Sequence, residues 1–177
     1  MFSKVRLLVL FVILLAITGC NNQFMSSGII YMQQNDVDKA IVQFNEAIKI
    51  EPGNAQAYLW LGKAYGTKQD YEASAKYFVL ALDKDTTGKV LKEMKETSEF
   101  YWPVLFNAGT GFIKNGDAKE KKSDYESWLT KAEIVNDTSV NYDYLVLLYA
   151  ETGEETKMVE TIAKAVAKTP KNLSLFF

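Results

Sequence analysis

The 177-residue chain has no histidine and a single cysteine. Without histidine it lacks the commonest general base and the commonest ligand for zinc or iron, and no Ser-His or Cys-His nucleophile can be assembled. One cysteine closes no internal disulfide and builds no sulfur-rich metal site. No cofactor is expected. An excess of positive charge is also missing, since 20 basic residues stand against 22 acidic ones. A nucleic-acid binder usually carries a basic surplus that neutralises phosphates, and an electrostatically held membrane protein carries a polybasic patch. Neither is present, so no nucleic-acid partner is expected. No glycine set is spaced as a phosphate loop or a dinucleotide fingerprint.

What is present begins at the N-terminus. Lys4 and Arg6 precede an unbroken apolar run, Leu7 to Ile17, of eleven residues. A bilayer-spanning helix needs about 20, so this run suits the core of a signal peptide. Ile17-Thr18-Gly19-Cys20 follows at once. That ending resembles the lipobox of bacterial lipoproteins. The resemblance implies cleavage before Cys20, a diacylglycerol on its thiol, further acylation such as palmitate, and a mature chain anchored to a membrane by lipid. Residues 1–19 are then a signal peptide, and 177 residues less those 19 leave 158 for one domain with a sizeable core. Loss of Lys4 and Arg6 leaves 18 basic residues against 22 acidic ones, a net charge of −4. Asn21, rather than an aspartate, follows the cysteine. The expected location is the cell envelope: the periplasmic face of the outer membrane in a Gram-negative cell, otherwise the outer face of the plasma membrane.

Residues 20–177 repeat. A shift of 34 places Phe24 on Tyr58, Gly28 on Gly62, Tyr31 on Tyr65, Asp36 on Asp70, Ala40 on Ser74, Phe44 on Phe78 and Ala47 on Ala81. Spacings of three and four put Tyr58, Leu61, Gly62 and Tyr65 on one helical face, and Ser74, Phe78 and Ala81 on another. Small residues let two antiparallel helices approach closely, and aromatic rings fill the space beside them. Asn35-Asp36 and Gln69-Asp70 supply turn and cap chemistry, and Glu51-Pro52-Gly53-Asn54 ends one unit and starts the next. Leu105, Ala108, Gly109 and Phe112 repeat the second unit at a shift of 47, which makes residues 89–101 an insertion. Trp102, preceding Pro103, is biased away from helix and marks a boundary. In the second half of this unit the frame puts Lys121 and Trp128 where small residues belong. A helix about one turn longer, with Tyr125, Leu129 and Ala132 inward, fits better. Tyr142, Leu145, Tyr149, Gly153, Met158, Ile162, Ala165 and Pro170 keep the spacing in a fourth unit, although Val146 and Met158 replace the small residues. The chain then reads Leu173-Ser174-Leu175-Phe176-Phe177, apolar where a solenoid normally has a polar cap.

These positions resemble the tetratricopeptide repeat family over residues 22–172. The resemblance implies an all-α fold: a right-handed α-solenoid of about four helical hairpins at 21–54, 55–88, 102–138 and 139–172, with an added helix in the 89–101 insertion. It also implies a concave face, lined by the first helix of each unit, that binds a protein or peptide. The candidate groove residues are Met25, Ile29, Met32, Leu59, Lys63, Phe106, Thr110, Asp143 and Leu147. Some relatives grip a terminal carboxylate with Lys, Arg and Asn in the groove. The matching places here hold Met25, Ile29, Trp60 and Pro103, with only Asn107 of a suitable type, so that mode is not expected. The acidic pairs Asp36/Asp38, Asp83/Asp85 and Glu154/Glu155 sit at helix ends, where carboxylates favour the macrodipole. No enzyme activity is expected. The expected function is a lipid-anchored interaction scaffold whose partner is itself membrane-associated, because Phe24 takes the first packing position only four residues after Cys20. The alternative is a structural repeat protein that associates with itself.

Overall fold

The computed structural model describes residues 23–168, which form packed helices without a strand among them. The expected signal segment 1–19, Cys20 and residues 169–177 lie outside the described residues. The helices are α1 (residues 23–33), α2 (Val37–Ile50), α3 (Ala55–Thr67), α4 (Tyr71–Lys84), α5 (Lys89–Glu96), α6 (Ser98–Gly109), α7 (Gly111–Asn115), α8 (Lys122–Val135), α9 (Ser139–Thr152) and α10 (Glu155–Lys168).

The hairpin turns are built alike. Each first helix stops at a residue in the left-handed region: Asn35 (φ 59°), Gln69 (φ 62°), Gly116 (φ 69°) and Gly153 (φ 77°). Glycine or asparagine takes this conformation at little steric cost, and Gln69 takes it against its preference. The following N–H then reaches back five residues, from Asp36 to the Tyr31 carbonyl (2.9 Å), Asp70 to Tyr65 (3.0 Å) and Glu154 to Tyr149 (2.8 Å). Asp36, Asn54 and Asp70 cap α2, α3 and α4 by accepting from the N–H of Lys39, Ala57 and Ala73.

Small residues set the helix approach. A Cβ placed on Gly28 would lie 2.4 Å from the Phe44 ring, on Gly62 2.5 Å from Phe78, and on Gly109 2.6 Å from Leu129. In α4, Ser74 Oγ donates to the Gly62 carbonyl at 2.8 Å, so the one polar group in this contact is satisfied. Helix α3 is buried on opposite sides. Leu61 and Ala64 pack with Ala40 and Phe44 of the first unit, while Leu59 joins Phe78, Val90, Met94, Tyr101 and Leu105.

Two expectations about the third unit need correction. Its second helix is not longer: α8 has 14 residues, as α4 does. It starts four residues late instead. Asp117 stands where Asp70 caps α4, but its carboxylate accepts from the Tyr125 hydroxyl (2.5 Å) and pairs with Lys121 (3.4 Å). The extra residues therefore go into the turn at 117–121, which tucks Ala118 into the core. Leu129 then meets Gly109 as Phe78 meets Gly62. The second correction is the boundary at Trp102. Helix α6 runs from Ser98 through Pro103, so the third unit starts before residue 102, and the inserted helix is α5 alone. Tertiary contacts override the local bias: Tyr101 is buried and donates to Glu93 (2.9 Å), and Trp102 Nε1 donates to Asn141 Oδ1 (3.1 Å). The carbonyl that loses its donor to Pro103 is that of Glu99, an exposed residue open to water.

Candidate interaction face

The first helices of the four units carry the candidate groove residues, and the structure divides them. Met25, Ile29 and Met32 on α1 are half-buried and pack against the Phe44–Leu61–Ala64 cluster, so they serve the core as well as the surface. Leu59 is fully buried and offers no surface. This corrects its assignment to the groove. Its cluster holds Ala75 and Phe78 of α4 and Leu105 of α6 as well as Val90 and Met94 of α5.

Lys63 is covered by the same helix. Its ammonium lies 2.7 Å from Glu93 of α5, 4.4 Å above the Trp60 ring and 5.8 Å from the Tyr101 ring centre. Burial pushes the Glu93 carboxyl up, but hydrogen bonds from Lys63, Tyr101 and Gln56 outweigh it and hold the pKa below the ordinary value. Sequence reasoning missed Glu93, because nothing in the repeat pattern marks the insertion as reaching α3.

The third and fourth units keep an accessible strip. Phe106 stacks on Trp102 (4.7 Å between ring centres) and meets Tyr144 of α9 edge to face (5.1 Å). Val140, Tyr144 and Leu147 follow at helical spacing on α9, and Val140 and Leu147 are each 40% exposed. Asp143 borders this strip, half-buried, and burial raises its carboxyl pKa. Thr110 ends α6, with its hydroxyl donating to the Asn107 carbonyl (3.3 Å). Asn107 faces a cleft of about 230 Å³ shared with Tyr71, Glu72 and Trp128. Phe106, Asp143 and Leu147, expected from the repeat register, lie on or beside this strip, and Thr110 lies at the end of α6. The register missed Trp102, Asn141 and Tyr144, which only the α6–α9 contact reveals.

The acidic pairs serve helix ends and ion pairs. Asp36 caps α2 and pairs with Lys39 (2.6 Å), Asp38 pairs with Lys68 (2.7 Å) and Asp83 with Lys131 (2.5 Å). Asp85 accepts from the N–H of Leu91 (2.9 Å), which caps α5 from outside. Glu154 pairs with Lys122 and Lys157. Among the described residues no group of acidic side chains could hold a metal ion, and no helix is long and apolar enough to cross a membrane.

Paired helices, the Gly–aromatic contacts and the shared turn geometry define the repeat, and residues 28–69 match the family model for the TPR repeat. Residues 28–69 are therefore tetratricopeptide repeat sequence. It is 32% identical over 69 residues to the tetratricopeptide repeat domain-containing protein PYG7, chloroplastic, of Arabidopsis thaliana, an alignment that takes in 39% of this chain and 23% of that protein. This chain therefore spans less than a quarter of that relative's length. Similar solved structures include YrrB, described as a TPR protein with an unusual peptide-binding site, at 17% identity over 91% of this chain and 96% of that one, with a TM-score of 0.36. MamA is similar at 17% identity over 87% and 81%, with a TM-score of 0.43. The repeat fold suggests a protein–protein interaction scaffold.

Proposed function

We propose that this chain is a lipid-anchored scaffold at the bacterial cell envelope that binds a protein or peptide partner along the first helices of its third and fourth units. The observation that carries this reading is the Phe106–Tyr144–Leu147 strip, an apolar surface left accessible while Leu59 is buried and Lys63 is paired with Glu93 of α5. Aromatic and branched apolar side chains at helical spacing offer contact area to a partner segment at low entropic cost.

Anchoring is supported by the apolar run Leu7–Ile17 and by Ile17-Thr18-Gly19-Cys20. Helix is already formed at residue 23. Only Asn21 and Asn22 then separate it from the acylated cysteine, a reach of about 7 Å. A domain held that close to a bilayer favours partners in or on the same membrane, which short tethering presents at high effective concentration. The membrane is the outer membrane on its periplasmic face in a Gram-negative cell, or the outer face of the plasma membrane otherwise.

The deciding experiment is crosslinking and capture from native membranes with the wild-type chain and with Val140→Glu/Leu147→Glu. The expected result is one distinct envelope protein captured by the wild type and lost in the variant, whose helical content is unchanged. Equal capture by both overturns the assigned face. A concentration-dependent oligomer with no captured protein favours self-association. Cys20→Ser is expected to abolish labelling by a palmitate analogue, and persistent labelling overturns the anchor.

A further inference from the structure

The junction between the first and second units is closed, and the same junction one unit later is open. At the first, Val37, Trp60, Leu61 and Ala64 belong to one packed cluster, and Lys68 of the second unit pairs with Asp38 of the first (2.7 Å). A shift of 34 carries Val37-Asp38 onto Tyr71-Glu72. The shift of 47 carries Trp60, Leu61, Ala64 and Lys68 onto Asn107, Ala108, Gly111 and Asn115. Each of these last residues is smaller than its counterpart. The cleft of about 230 Å³ lies where that bulk is missing, and all of these second-junction residues line it.

What the second junction lacks is a ring, an aliphatic branch and a cation. Tyr125 of α8 takes back part of the room, since its ring would lie 3.3 Å from a Cβ on Gly111. Trp128, buried like Tyr125, also lines the cleft. The cation is only partly replaced. Lys121, on the lengthened turn, lies 3.3 Å from Glu72 Oε1 but also 3.4 Å from Asp117. One ammonium thus serves two carboxylates, +1 against −2, which leaves the group a net charge of −1. Neutral Asn115 stands in the place of Lys68. Its Nδ2 donates to the Tyr125 hydroxyl (3.1 Å), which leaves its Oδ1 to accept from an occupant. Tyr71, 53% exposed, adds an aromatic face of the kind that attracts an ammonium.

We propose that this cleft seats a lysine side chain of a partner protein, with the ammonium beside Glu72 and the stem against Tyr71 and Trp128. The first junction holds the same arrangement within the chain: a lysine ammonium on the equivalent carboxylate, next to packed apolar groups. Lys121 already holds one oxygen of Glu72. The other oxygen suits a compact point donor better than a two-pronged guanidinium. None of the cleft residues belongs to the Phe106–Tyr144–Leu147 strip, so this seat is a second contact, independent of that face.

The test is an NMR titration of the full chain in detergent with a blocked Ala-Lys-Ala peptide. The signals followed are the Trp128 indole N–H and the side-chain amides of Asn107 and Asn115. Saturable shifts at millimolar peptide are expected, and none with a blocked Ala-norleucine-Ala peptide, which keeps the stem and lacks the charge. Glu72→Gln is expected to weaken binding about fivefold. Its helical content should not change, because the Glu72 side chain is 59% exposed. Asn115→Lys restores the residue of the first junction and is expected to abolish binding by filling the seat from within, with Tm held or raised. Absence of shifts, equal shifts from the norleucine peptide, or undiminished binding by Asn115→Lys overturns the proposal. Butylamine binding more tightly than the peptide overturns it in favour of a small amine. Val140→Glu/Leu147→Glu is expected to bind the peptide as the wild type does, and loss of binding there overturns the seat by placing the peptide on the strip. Failure of the strip as a capture face leaves this titration unchanged, so the two readings fail separately.

Discussion

The second and third units solve one packing problem with different residues. In the second, Gly62 faces Phe78, and the α4 start is fixed by the Asp70 cap. In the third, Gly109 faces Leu129, four residues later than the frame predicts, and Asp117 has given up capping to hold Tyr125. The close approach of the two helices survives while the turn that connects them does not. Contact at the helix crossing is therefore the conserved constraint within this array, and turn length is what yields. That ranking follows from energetics, because overpacking a core costs more than lengthening a surface turn, whose entropy grows slowly with length.

The comparison breaks most sharply at the two glycines. Gly62→Val would drive its Cβ into the Phe78 ring and to within 3.2 Å of the Ser74 carbonyl, and Gly109→Val into Leu129, whose backbone nitrogen lies at 3.0 Å. Each is expected to cost about 1–3 kcal/mol or more, lowering Tm by several degrees on thermal melts. If only Gly62→Val destabilises, the third unit does not pack as the second does.

Next in size is the contact between the third and fourth units. Glu126 accepts from Tyr149 (2.9 Å) and pairs with Lys157 (2.9 Å) and Lys122 (3.1 Å). Burial raises its pKa, but the hydrogen bonds from Lys157, Tyr149 and Lys122 outweigh burial and depress it. Glu126→Gln is expected to cost about 1–2 kcal/mol near neutral pH. A depressed carboxyl contributes stability that is complete above the ordinary glutamate value of 4.5 and is lost as pH falls through the lower folded value. The Tm gap between wild type and Glu126→Gln should therefore close on acidification below pH 4.5. A gap that holds constant would refute the ionic origin.

Smaller effects separate the covered and open parts of the first helices. Lys63→Val removes the cation from half-buried Glu93 and should cost about 1 kcal/mol. Leu147→Ser, at a position 40% exposed, should leave Tm nearly unchanged. Chemical denaturation of both variants checks this, and equal losses would mean that the α6–α9 strip is structural. Asp38→Ala breaks only the exposed pair with Lys68 and is expected to shift Tm by nothing measurable.

Much of this architecture was legible in residue spacing. The 34-residue period, the glycines facing rings and the Asp or Asn caps are local signals, and each is enforced by helix geometry within one hairpin. The candidate face was legible only in part. Phe106 and Leu147 follow from register, but register could not tell that Leu59 is buried, because its cluster draws on α4, α5 and α6 together. Trp102-Pro103 misled for a related reason: a backbone bias worth little was outweighed by Tyr101 and Trp102 finding hydrogen-bond partners on α5 and α9.

Composition and period alone determined that the described chain is a stack of helical hairpins without histidine-based chemistry, because hairpins are specified by contacts close in sequence. Only the tertiary structure decided where α5 lies, which first-helix residues remain accessible, and that the third unit stores its extra residues in a turn. Those outcomes depend on contacts between residues 30 to 50 positions apart, such as Lys63 with Glu93, Trp102 with Asn141 and Lys131 with Asp83. No local pattern encodes pairings at that range; they form because packing leaves those groups no better partner.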